Sequence, residues 1–162
     1  MTPPAMLYSW LHLIALIVYV GAVVGLWFML LPSVAILSSD ADKAQLLARG
    51  LKFFNPLQVG ALGIILFTGA FQLTELKAAY REQFVRQFGY ILVLKLLFAF
   101  LLVIFSVYQG LGVGHRFVRR YESGEPVTGA ELRSIIGRLK GANWCIALLT
   151  IVTVWLGIRL GH

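Results

Sequence analysis

Charge is what this chain has least of, and acidic charge least of all: seven Asp and Glu stand against fourteen Lys and Arg in 162 residues. Charged residues make up 13% and hydrophobic ones 59%, where a soluble domain carries about 25% and 45–50%. That balance excludes a water-soluble globule; the surplus apolar surface must face something other than water. Cysteine occurs once, as Cys145, so an intramolecular disulfide and any CxxC redox or zinc motif are excluded. No phosphate-binding or nucleophile motif is present. The basic excess, with a pI near 9.9, does not point to nucleic acid. Lys and Arg flank apolar runs instead of interleaving with aromatics on a polar element, and there they serve topology and contact with anionic lipid. The opening MTPPAMLYSW lacks Lys and Arg. It leads into about 20 apolar residues with no small-residue cleavage site, and it reads as a retained anchor instead of a cleaved signal.

What is present is a set of long apolar runs. A bilayer core about 30 Å thick takes roughly 20 apolar residues as helix, and four stretches satisfy it: Tyr8 to Leu31, Pro56 to Ala79, Phe88 to Val113 and Ala142 to Leu160. The first is expected to stop at Pro32. The second is expected to start at Asn55-Pro56, an N-cap with proline at the first helical position. Between them Ser39 and Asp42 resemble a capping arrangement, and Ala41 to Lys52 is expected to form a short amphipathic helix on the membrane surface. In the third connection SGEP marks a turn and Glu131 to Lys140 a second short helix. The expected fold is all-α: one domain, an integral-membrane antiparallel bundle of four transmembrane helices.

Orientation follows from the bias of Lys and Arg. Lys43, Arg49, Lys52, Arg116, Arg119, Arg120, Arg133, Arg138 and Lys140 fall on one side, nine residues, against Lys77, Arg81, Arg86 and Arg159 on the other. Both larger loops are therefore expected inside a bacterial inner membrane, with both termini on the periplasmic side.

Polar groups within spans are costly and mark candidate sites. Tyr8, His12 and Tyr19 share one face of the first helix; Thr68, Gln72 and Glu75 align in the second; Lys95, Ala99, Ser106 and Gln109 in the third; Asn143, Thr150 and Gly157 in the fourth, with Thr153 beside them. Counted inward from the outer ends, His12, Gln72, Lys95 and Thr153 fall in one layer about 6–12 Å deep at 1.5 Å per residue. Glu75, slightly shallower, is placed to pair with Lys95. The plainer readings are that Lys95 snorkels to the outer headgroups, and that His12, Gln72 and the threonines join helix to helix through hydrogen bonds.

The ligand inventory narrows the cofactors. A bis-histidine haem is excluded, because of the three histidines only His12 is internal; His115 ends the third helix and His162 ends the chain. A haem b on His12, with Lys95 or another group opposite, stays open. Copper(I) prefers thiolate and thioether ligands, and Met1, Met6, Met29 and Cys145 trace no path across the membrane.

The run FGYILVLKLLFAFLLVIFSVYQGLGVGHRF, Phe88 to Phe117, resembles the copper resistance D (CopD) family in its glycine six positions before a lysine, here Gly89 and Lys95. WLHLIALIVYVGAVVGLWFMLLPS matches that family's opening span with His12, Tyr19 and Gly21. The chain is also similar to the small four-helix HemJ-type protoporphyrinogen oxidases. Their haem site, by that resemblance, maps onto His12 and Lys95, with Gln72 and Glu75 completing the candidate polar site. It departs from them at Asn143-Trp144, with Trp144 where that family has an acid, and at Pro32-Ser33 in place of proline-arginine. The resemblance implies copper handling or haem-linked membrane chemistry. Broad apolar faces and sparse ligands suggest another role: a non-catalytic small subunit packed against other membrane protein subunits of a larger respiratory or photosynthetic complex, with the lipid bilayer as the remaining partner.

Overall fold

The computed structural model describes the backbone of residues 3–80 and 83–160 and the side chains of residues 6–79 and 89–159. Met1, Arg81, Arg86 and His162, which enter the counts above, lie outside those side chains. The elements are α1 (Pro3–Gly25), a π-helical segment Leu26–Leu30, α2 (Leu31–Ile36), α3 (Asp40–Tyr80), α4 (Gln83–Val107), a second π-helical segment Tyr108–His115, α5 (Arg116–Glu122) and α6 (Gly129–Leu160). They form four long helical columns, each long and apolar enough to cross a membrane. The all-helical class is as expected, and no strand occurs among the described residues.

The columns are longer than the sequence suggested. The helix of the first span does not end at Pro32. The chain passes through the π-helical turn Leu26–Leu30 and continues to Ile36, with proline in the first turn of α2. That position tolerates a residue without an N–H. The second span does not begin at Pro56 either. Asn55 and Pro56 lie inside α3, one 41-residue helix that absorbs the segment expected to lie on the membrane surface. Proline inside a helix costs about 3 kcal/mol, and tertiary packing offsets it. Ala44, Leu47, Ala48 and Leu51 are buried, against Leu26, Leu30, Leu31, Leu132 and Leu139 among others. The apolar stripe at 44, 47, 48 and 51 thus meets the chain's own helices instead of lipid. Each such leucine adds about 1.5–3 kcal/mol where the alternative is water.

The third and fourth columns show the same extension. Helix carries on from α4 through Tyr108–His115 and α5 to Glu122, and Glu131 to Lys140 is the first part of α6. The SGEP turn is where it was expected, with Gly124 at φ 74°, a backbone conformation glycine adopts without strain. α6 begins with a reciprocal capping box: the Thr128 amide donates to Glu131 Oε2 at 3.1 Å and the Glu131 amide to Thr128 Oγ1 at 3.3 Å. At the start of α3 the Asp42 amide reaches Ser39 Oγ at 3.5 Å, a long version of the arrangement expected there.

Two apolar clusters result. One joins the helix extensions near the basic connections and includes Phe117 and Val118 of α5. The other, with Tyr19, Val23, Ala61, Leu62, Leu102 and Ile146, lies between the columns. Glycines set the close approaches. A Cβ on Gly25 would stand 2.8 Å from the Phe54 ring, and one on Gly50 would overlap Leu30.

Candidate functional site

The polar stripes converge on two levels. The deeper one is built from amides. Gln58 Nε2 of α3 donates to Gln109 Oε1 at 3.3 Å, Gln109 Nε2 to Asn143 Oδ1 of α6 at 3.1 Å, and Asn143 Nδ2 to the Val23 carbonyl of α1 at 3.3 Å. One hydrogen-bonded chain therefore ties all four columns, with Gln58, Gln109 and Asn143 each at most 1% exposed. Beside it the Tyr19 hydroxyl and Ser106 Oγ are 2.6 Å apart, with the Gln58 and Thr150 side chains next to the phenol. Gln58 Oε1 is left without a bonded partner.

The second level lies toward the N-terminal end of α1, two turns or about 10 Å along the helix from Tyr19 to His12 at 1.5 Å per residue. His12 Nδ1 and Thr68 Oγ1 are 2.8 Å apart. Thr68 has a single hydroxyl proton, and it is directed to the Ile64 carbonyl at 2.7 Å. With that proton on Ile64, Thr68 accepts from His12 Nδ1–H, the assignment that keeps the Nε2 lone pair free. This is the way metal-bound histidines are held by their supporting shell. The ring rests over Gly69 of α3, where a Cβ would stand 3.5 Å from Cε1.

Lys95 of α4 is half-buried against Gly157 of α6, where a Cβ would stand 3.4 Å from Nζ. His12 and Lys95 lie on different columns, each seated on a glycine of a neighbouring helix. Gln72 lies half-buried one turn beyond Thr68, beside Phe71, whose ring stacks on Tyr8 at 4.6 Å. Glu75 is exposed. Among the described residues no carboxylate comes within 4 Å of Lys95, so the expected Glu75–Lys95 pair does not form; the ion pairs found join Lys43 to Asp40, Lys52 to Glu122, and Arg120 to Glu125 and Glu131. Two turns and one turn before Gly157 on α6, Thr150 and Thr153 return their hydroxyls to the Ile146 and Leu149 carbonyls of their own helix.

Among the described residues no three of His, Cys, Asp and Glu converge as a metal site. Met6 and Met29 are more than half exposed and Cys145 is half-buried elsewhere. Sequence reasoning missed Gln58 and gave Asn55 the wrong role. Asn55 Nδ2 donates to the Gly110 carbonyl at 3.3 Å, packed where Gly114 leaves no room for a Cβ. The signal for Gln58 was its spacing from Thr68 and Gln72, on a helix that had been expected to begin only two residues earlier. Compared with models of known protein families, with characterised proteins and with solved structures, the chain has no match.

Proposed function

We propose that this chain is a four-span inner-membrane protein, its consecutive spans opposite in direction and its basic connections cytoplasmic, whose level of His12 and Lys95 holds a cofactor of the haem b class. The observation that carries this is the 2.8 Å contact of His12 Nδ1 with Thr68 Oγ1: with Nδ1–H given to Thr68, Nε2 is a free nitrogen donor on a half-buried ring. The fit has two further supports. Lys95 supplies a second nitrogen from α4, and Gly69 and Gly157 let the His12 and Lys95 side chains lie close against neighbouring helices. When bound, such a group supplies one-electron chemistry. The chain itself would hold the ring nitrogen in one orientation through Thr68. His12 and Lys95 are also the residues that the resemblance to HemJ-type oxidases singles out. Copper handling, which the resemblance to the CopD family carries, has less behind it, since soft ligands do not gather.

The test is the reduced-minus-oxidised visible spectrum of protein purified in mild detergent. A stoichiometric haem band that disappears in His12→Ala supports the reading; a flat spectrum sinks it. One observation favours a second reading as a small accessory subunit. Only 11% of the most apolar stretch of the third column is buried, against 33% for the first. That leaves Tyr90, Val93, Leu97, Phe100 and Ile104 as an open apolar face. Co-purifying chains together with indifference to His12→Ala would support it.

A further inference from the structure

A groove of about 320 Å³ runs between α3 and the column formed by Tyr108–His115 and α5. Its walls are apolar: Leu51 and Val59 on one side, Leu111 and Val118 on the other. Its mouth carries both signs of charge, since Lys52 Nζ and Glu122 Oε1 meet across it at 2.6 Å, both largely exposed, with His115 beside them. Its floor is short of donors. Asn55 is 8% exposed, spends its Nδ2 on the Gly110 carbonyl and leaves Oδ1 with no partner. Pro56, also in the lining, lacks the N–H that would bind the Lys52 carbonyl in a regular helix. A buried, unpaired acceptor such as Asn55 Oδ1 costs free energy.

We infer that this groove binds one phospholipid with a phosphoethanolamine head, on the membrane reading above but independent of the haem. The primary ammonium donates to the Glu122 carboxylate, which is half-exposed at the mouth. The phosphate takes Lys52 and His115, and the acyl chains leave along Val59 and Leu111. The head splits one ion pair and replaces it with two. Because Lys52 and Glu122 cancel, a zwitterion enters without leaving net charge. A quaternary ammonium has no N–H to give Glu122, and a phosphoglycerol head has no cation for it. The full four-column chain sets the groove, since Gly110 and Gly114 let α3 and the π-helical segment approach.

The experiment is native mass spectrometry of the full chain in mild detergent, stripped of lipid. It is then titrated with phosphoethanolamine, phosphocholine and phosphoglycerol lipids of identical acyl chains. A charge-assisted hydrogen bond separates partners by about tenfold or more, so the phosphoethanolamine lipid is expected to bind about tenfold more tightly than the phosphocholine one. Glu122→Gln, a surface substitution that leaves the fold intact, is expected to bring the two to near parity. Equal binding of all three heads overturns the inference. So does a preference for phosphoglycerol, which means that the neighbouring Arg116 and Arg119 attract anionic lipid without a site, and so does a Glu122→Gln protein that keeps the preference. A flat haem spectrum has no bearing on any of these outcomes.

Discussion

At the scale of single residues, the molecule uses short polar side chains to settle which atoms stay available. Thr68 is the clearest case, since its one proton is committed to the backbone and the histidine is thereby fixed. Thr68→Val keeps the volume and removes the acceptor. In a haem-loaded protein it is expected to weaken cofactor binding by about 10–100-fold, the usual effect of losing a group that supports a metal-bound histidine. A haem titration of the purified variant reads it directly. The amide chain offers a separate test. Asn143→Leu strands Gln109 Nε2 and frees the Val23 carbonyl, and each buried orphan costs about 1–3 kcal/mol. Its thermal unfolding midpoint in detergent is expected to fall clearly, while Thr153→Val, which ends only a bond to its own helix, leaves the midpoint nearly unchanged.

At the scale of elements, glycine position decides where helices touch. Gly114 admits the Asn55 side chain, whereas Gly63 of α3 faces open space. Gly63→Ala is expected to be neutral or to stabilise by up to about 1 kcal/mol through helix propensity. Gly114→Ala must displace Asn55 and is expected to destabilise by about 1–3 kcal/mol, as overpacking does. Paired unfolding curves in one detergent give the comparison. Element identity was legible in the sequence, because about 20-residue apolar runs have few alternatives. Element ends were not. Asn55-Pro56 satisfies the rules for a helix start, and only the burial of Leu47 and Leu51 against distant leucines shows that helix continues through it. Polar stripes could be read from helical spacing, and so His12, Lys95, Ser106, Gln109 and Asn143 were found. Their pairing could not be read, because it depends on how far each column is rotated toward its neighbour. Glu75 illustrates the gap: its spacing from Thr68 placed it on the polar face, yet it ends exposed and unpaired with Lys95.

At the scale of the whole molecule, charge is gathered at one end. The ion pairs among the described residues join the first and third connections and the helix extensions beside them, and the apolar cluster around Leu47 and Leu139 sits there too. The proposed orientation puts this end inside the cell. With the native Cys145 replaced by alanine and single cysteines introduced at Ser123 or Leu7, intact cells treated with a membrane-impermeant maleimide are expected to label the Leu7 site and spare the Ser123 site. The reverse pattern inverts the topology, and labelling at both sites argues against a four-span arrangement.

The continuity of α3 through Pro56 has a mechanical consequence. The helix is a single strut of 41 residues, about 60 Å long at 1.5 Å per residue, with one weakened rung where proline removes a hydrogen bond. Thr68 stands twelve residues past that rung, a lever arm of about 18 Å, so a flexure of about 10° there swings it by about 3 Å. That throw is as large as the reach of the bond by which Thr68 steers His12. Whatever stiffens the hinge at Asn55 and Pro56 therefore also fixes the aim of an imidazole several turns away.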